Sequence, residues 1–279
     1  MRRVLLPFVF LVLSLTAYGQ DGFIRNLAAQ WEARATRTQA AQPKWSVPMF
    51  SPFPMVAQVY RADFIRQRTA AGKSNWNMGG GKGFNLIPAK NTQVDIFVPG
   101  YMIRGDGGQD GFGDMILLGK YRFLSKTEKQ GNYILSGQLS WHIPTGSYKN
   151  GAPAASFTPT LVGGKGFGKL ALMSSVGGSL PTSQTSTTGR AIHWNSVVQY
   201  KVGRYFSPQL EINTTSHIGG SRDGKTQTFL SPGIMVGKLP IRSIDNSRLG
   251  VTVGAGFQIA TTGFHTYNHA LATSVRFVF

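Results

Sequence analysis

The chain has 279 residues, a formal net charge of +18 and no cysteine, so an exported form carries no disulfide framework. Its charged fraction of 14% is well below the roughly 25% usual for a soluble domain. The basic residues are scattered among apolar and polar runs with no nucleic-acid signature, which argues against a nucleic-acid partner. A positive surface of this kind suits anionic lipid, or biases a pore toward anions.

Met1–Gly19 reads as a secretory signal. Arg2 and Arg3 form the positive start, Val4–Leu15 the apolar stretch, and Ala17-Tyr18-Gly19 the small-x-small site, which predicts cleavage before Gln20. The segment is too short to anchor the chain, since a spanning helix takes ~20 apolar residues. No later stretch reaches that length without a charge, glycine or polar residue. If the mature chain enters a membrane it must do so as a closed barrel, because an open sheet edge leaves unpaired amides in lipid.

Residues 20–54 form a leader. Asp21–Ala41 has weak helical spacing at Phe23, Leu27, Trp31 and Ala35, and can be read as a short helix, a plug or a disordered segment. Pro43, Pro48, Pro52 and Pro54 forbid regular structure up to about Met55. The leader is therefore expected to be the part least integrated with any barrel wall. If it enters the lumen, it is the obvious gate.

Residues 55–279 read as strand, break, strand. Twelve segments are predicted, at about 55–65, 77–87, 93–104, 112–124, 132–143, 156–166, 169–181, 191–203, 208–219, 227–239, 248–260 and 268–279. Each has the length a tilted transmembrane strand needs. Alternation is plain in several. Ile192, Trp194, Val198 and Tyr200 oppose His193, Asn195, Gln199 and Lys201. In the last segment Leu271, Thr273, Val275, Phe277 and Phe279 oppose Ala272, Ser274 and Arg276. An alternating final strand ending on an aromatic is what the barrel assembly machinery of Gram-negative outer membranes reads. The segments 55–65, 77–87 and 227–239, the last containing Pro232, are the least regular. The odd-numbered breaks are Gly- and polar-rich, and most even-numbered ones are tight, which is the outer-membrane pattern of loops and turns.

Charges on a lipid face cost about 2–4 kcal/mol at midplane, so the polar face of each strand is assigned to the lumen. The predicted lumen-lining residues are Asp95, Asp114, Lys120, Arg122, Gln138, His142, His193, Asn195, Gln199, Lys201, Glu211, Asn213, His217, Gln258 and Arg276. Asp114 can pair with a base on a neighbouring strand, as a staple or as part of a selecting ring. Ser140 and His142 share a face, as do His193 and Asn195, yet such pairs are common in a polar lumen and assign no catalytic residue. Nothing has metal-ligand spacing. The Gly79-Gly80-Gly81-Lys82-Gly83 run lacks the Ser/Thr and helix of a phosphate loop, so no cofactor site is predicted.

The distinctive stretches are Gly83–Tyr101, Gly111–Phe123, His142–Gly151, Thr158–Gly168 and Gly250–His269. Within them, Gly113-Asp114 followed by Lys120-Tyr121-Arg122-Phe123, and Ile143-Pro144-Thr145-Gly146, resemble the outer-membrane family named for the meta-pathway of phenol degradation. The resemblance covers about Pro88–Phe279 and implies a small transporter-like barrel for aromatic or other hydrophobic compounds, with no catalytic residues to carry over.

The sequence thus predicts an all-β protein, an antiparallel transmembrane β-barrel of about twelve strands with a short N-terminal leader after a signal peptide. It is placed in the outer membrane of a Gram-negative bacterium, with membrane lipid, the assembly machinery (through the Phe279 strand) and a small-molecule solute as partners. Passive transport of a small solute is the leading reading. A non-conducting structural or interaction barrel is the alternative, and a lipase-like barrel enzyme the third.

Overall fold

The computed structural model describes residues 21–79, 81–241 and 249–279. The signal segment Met1–Gly19 and most of the break between the predicted segments 227–239 and 248–260 lie outside them.

Twelve antiparallel strands close into a barrel, each hydrogen-bonded to its neighbours in sequence. They are β1 (Val59–Arg68), β2 (Ser74–Met78 and Gly83–Ala89), β3 (Thr92–Phe97 and Tyr101–Arg104) and β4 (Gly111–Phe112 and Met115–Lys126). β5 (Tyr133–Ile143), β6 (Ser156–Phe167), β7 (Leu170–Pro181) and β8 (Arg190–Tyr200) follow. β9 (Phe206–Ile218), β10 (Thr226–Pro240), β11 (Gly250–Ala260) and β12 (His269–Val278) complete the wall. Closure comes from β12 pairing with β1, from Val59 opposite Val278 to Arg68 opposite His269. Among the described residues no edge strand is left, which is the condition for a sheet in lipid.

Side chains in a strand alternate between faces, and here one face is apolar and outward. Tyr121, Trp141, Trp194, Phe257, Leu271 and Phe277 are exposed on the outer surface. Lys120, Ser136, Gln199, Glu211, Gln258 and Arg276, one residue out of phase with such neighbours, are buried inside. Local irregularities modify the pattern. In β4 the pairing with β5 shifts between Arg122 and Leu124. Phe123 and Leu124 both emerge outward, and the lumen row passes from Lys120 and Arg122 to Ser125. β2, β3 and β4 are each interrupted, between Met78 and Gly83, between Phe97 and Tyr101 and between Phe112 and Met115. At the end of the first interruption the chain approaches its neighbour too closely for a side chain: a Cβ on Gly83 would lie 2.0 Å from the Ile96 carbonyl oxygen. Pro232, by contrast, does not stop β10, which runs through it opposite Leu210.

The leader departs from its expected detachment. α1 (Asp21–Ala40) lies against β2, where Arg34 Nε donates to the Ile87 carbonyl at 3.4 Å, and Trp31 Nε1 donates to Gln58 Oε1, just before β1, at 2.7 Å. Beyond it, residues 41–58 enter the lumen as a loop and come out as β1. Gln42 closes the neck of that loop: its Oε1 accepts from the Val56 amide at 3.0 Å and its Nε2 donates to the Val56 carbonyl at 2.8 Å. The loop carries the interior apolar packing. Phe53 and Met55 cluster with Ile134, Met173 and Val197, Val56 with Ala35 and Ile87, and Met49 with Met235 and Ala272. Burying each such side chain stabilises the seated loop by roughly 1.5–3 kcal/mol. The four prolines deny the segment a ladder, as expected. They also leave main-chain carbonyls in need of donors, and the lumen supplies them.

Candidate functional site in the barrel lumen

The lumen divides at about Pro52. On the side of the short turns, the leader loop occupies it and is held by charged and amide side chains of the wall. Glu211 is fully buried, and its carboxylate accepts from three successive leader amides, Met49 at 2.7 Å, Phe50 at 3.1 Å and Ser51 at 2.7 Å. Arg276 donates to the carbonyls of Val47 at 2.6 Å and Pro48 at 2.8 Å. Arg61 reaches the Met49 carbonyl at 2.9 Å while pairing with Asp63. Lys120 Nζ donates to the carbonyls of Phe53 at 2.8 Å and Met55 at 3.1 Å, and sits 3.5 Å from the centroid of the Phe53 ring. Arg122 bonds the Thr38 carbonyl at 2.8 Å and Gln42 Oε1 at 2.9 Å, so it fixes the neck. Charge-assisted hydrogen bonds of this kind are roughly twice as strong as neutral ones.

Amides and hydroxyls finish the cradle. Gln199 holds Ser46 at both ends, accepting from its amide at 2.9 Å and donating to its carbonyl at 3.0 Å. Asn213 donates to the Ser51 hydroxyl at 2.8 Å, and Ser136 to the Pro54 carbonyl at 2.6 Å. Asp95 is buried beside Gln93, whose Nε2 donates to it at 2.7 Å and whose Oε1 accepts from the Ala57 amide at 2.6 Å.

On the side of the long loops the leader is absent and the wall pairs with itself. Above Pro52 lies a cavity of about 240 Å³ lined by Gln138, Ser140, Thr158, Thr160, His193 and Asn195. A wider cavity of about 490 Å³ opens at the loop end, and His193 and His217 are among its lining. His193 belongs to both. Its Nε2 is 2.7 Å from Ser179 Oγ and its Nδ1 3.1 Å from Thr215 Oγ1. Asn195 bonds Ser175 and Asn213, and Gln258 accepts from the Tyr267 hydroxyl at 2.5 Å.

The structure distributes the sequence-predicted residues among three places. Asp95, Lys120, Arg122, Gln199, Glu211, Asn213 and Arg276 surround the leader. Gln138, His193, Asn195 and His217 line the cavities, with Gln258 beside Asn213. Asp114 and His142 stand at the loop end, paired at 2.9 Å. Asp114 also accepts from the amides of Gly146 at 2.8 Å and Ala152 at 2.6 Å, so it staples the loop between β5 and β6 to the wall. Lys201 is not in the lumen. β8 ends at Tyr200, and Lys201 is exposed in the turn, where strand alternation no longer sets its direction. Sequence reasoning missed Arg61, Asp63, Gln93 and Gln209. Gln93 shares a face with Asp95, a signal that was present. Arg61 and Asp63 fall in the irregular first segment.

Residues 61–271 match the family model described as "Putative MetA-pathway of phenol degradation". The chain belongs to this family. Among solved structures it is similar to an outer-membrane channel from Pseudomonas putida F1, at 13% identity and a TM-score of 0.59, over 85% of this chain and all of that one. It also matches the translocator domain of the autotransporter NalP from Neisseria meningitidis, at 11% identity and a TM-score of 0.44, over 91% of this chain and 98% of that one. No curated protein matches it. The fold is that of an outer-membrane barrel, as the alternation and the motifs had predicted.

Proposed function

We propose that this barrel is a gated outer-membrane channel, with the leader loop as its gate and a small, aromatic or otherwise apolar solute as its cargo. The observation that carries the reading is the cradle around residues 46–55. The segment that blocks the lumen is bound through its main chain to side chains of the wall, so it can leave as a unit without unfolding a strand. Solute arrives by the long-loop cavities, passes His193 and meets Pro52, and displacement of the loop opens the short-turn side. Phe279 and its strand serve insertion by the assembly machinery, and the leader end faces the periplasm.

The test uses the neighbouring hydroxyls of Ser46 and Ser207, 2.9 Å apart. The chain has no cysteine, so a Ser46→Cys/Ser207→Cys pair forms a single disulfide between gate and wall. In planar bilayers the oxidised protein should conduct less than the same protein after reduction. Equal conductance in the two states would overturn the gate. A second reading, a non-conducting barrel, is favoured by one feature: the cations of the short-turn half, Arg61, Lys120, Arg122 and Arg276, are engaged by the leader. Silence of both redox states, and of a protein lacking the leader, would select it. For an enzymatic reading, the Ser179–His193 contact has a hydroxyl, Thr215, on its far side in place of the carboxylate a triad uses.

A further inference from the structure

The wider cavity at the loop end is not used by the leader. Its volume of about 490 Å³ suits a small molecule, for which sites of ~300–1,000 Å³ are usual. Its lining is of two kinds. Ala152, Pro153, Ala154 and Pro181 offer apolar surface, and Thr188, Thr215, His217 and Gln227 offer hydrogen-bonding groups. Arg190 and Arg222 also line it, and no carboxylate does among the described residues.

Three buried side-chain atoms of this lining have no hydrogen-bond partner among the described residues: Thr188 Oγ1, His217 Nε2 and Gln227 Oε1. An unpaired buried polar group costs about 1–3 kcal/mol, and most such groups in proteins are paired. The described residues contain six such atoms, and half of them fall at this one cavity. The set is chemically mixed. Thr188 can donate, His217 can donate or accept, and the Gln227 oxygen accepts only. The rim that carries Thr188 is also fixed in place. The loops at 182–189 and 219–225 meet through glycines: a Cβ on Gly220 would lie 2.5 Å from the Gly189 nitrogen and 2.6 Å from the Thr187 carbonyl oxygen.

We infer that this cavity is a capture site for a small organic carboxylate that carries an apolar body and a hydroxyl group. Arg222 and His217 meet the carboxylate, Gln227 Oε1 accepts from the hydroxyl, and the Ala–Pro surface covers the body. The inference deepens the channel reading, on which it rests for the solute's onward passage through the lumen, but the binding itself is independent of passage.

Isothermal titration calorimetry of the full chain in detergent micelles tests it, with 4-hydroxybenzoate, benzoate and the uncharged 4-hydroxybenzamide as probes. The hydroxy acid should bind saturably and the amide about tenfold more weakly, as expected for loss of a charge-assisted contact. Arg222→Gln should weaken the acid while leaving the amide unchanged, and Arg222→Lys should restore most of the affinity. Gln227→Leu should weaken 4-hydroxybenzoate but not benzoate. Heat-modifiable migration on a gel certifies that each variant is folded. Equal affinity for acid and amide, or no saturable binding of the acid, overturns the site. Binding of the acid by a barrel that never conducts removes the channel reading and leaves the site. Conductance without binding removes the site alone.

Discussion

The two halves of the lumen use the same kind of wall for opposite ends. Around the leader, buried charges meet main-chain groups of the chain's own N-terminal segment: Glu211 meets three amides, and Arg276 and Lys120 two carbonyls each. Toward the long loops, hydroxyls, amides and histidines bond across the wall and leave two cavities. The charged residues that a sequence reader would assign to an ion-selecting ring are therefore occupied with holding a plug. In the proposed channel, selectivity would fall to the less conspicuous polar residues on the other side of Pro52. A charge buried in a lumen reports what it is bound to, and here that is backbone.

Deleting residues 21–54 is the strongest way to break the contrast. The charged half would become as open as the other, and conductance in planar bilayers should rise several-fold with heat-modifiable migration retained. Unchanged conductance would mean that the leader is not what limits passage. Glu211→Ala should come next. It leaves three adjacent buried amides without an acceptor, at roughly 1–3 kcal/mol per orphaned group, and should loosen the apex of the loop. A Pro52→Cys reporter would read this as faster maleimide labelling, because the new thiol would be the chain's sole one. Lys120→Met removes two donors from carbonyls, which tolerate the loss better than amides do, so its labelling rate should rise less. If Lys120→Met labelled faster than Glu211→Ala, the carboxylate would not be the principal clamp.

Much of this was legible in the chain, and the reasons differ by region. Strand alternation identified the wall, since a residue such as Arg122 or Arg276 can lie on only one face without entering lipid. It also put Glu211 and Gln199 inside. What alternation cannot give is the partner of an inward residue. The leader has no period, and its prolines argued for detachment, so nothing in the sequence connected Glu211 with Met49 across 162 positions. Lys201 failed for a complementary reason: the rule that placed it applies only inside a ladder, and the ladder ends one residue earlier. The pairing of Asp114 with His142 was half visible, since a base on a neighbouring strand was expected. The two loop amides it also holds were not.

The loop side can be sharpened in turn through Asp114. Asp114→Asn keeps one acceptor oxygen for two loop amides and removes the charge facing His142. The loop at 144–155 should loosen by about 1–2 kcal/mol, the scale of a lost hydrogen bond at a charged group. Limited proteolysis of the folded barrel should then cut within that loop faster than in the wild type, with the leader's labelling rate unchanged. A simultaneous rise in labelling at position 52 would couple the two halves and overturn their separation.

The smallest effect concerns Asp106, in the loop after β3 and outside the spanning segments. The hydrogen bond from Asn75 Nδ2 at 2.8 Å, with those from Gly108 and Arg104, holds its carboxyl below the usual carboxylate range. A depressed folded-state value means that the interaction is fully present above the ordinary carboxylate range and is lost as pH falls through the lower, folded value. The loop at 105–110 should therefore stay closed through mildly acidic solution and open only in strong acid. Because the pair is partly exposed and screened, the change should be local, with the barrel itself unaffected. Pepsin, active in that window, gives the measurement: cleavage near Asp106 should accelerate as the pH is lowered below the carboxylate range. In Asp106→Asn, cleavage should already be fast at the upper end of pepsin's acid window and show no further step. A wild-type loop cut at the same rate on both sides of the window would show that Asn75 and Arg104 do not hold it.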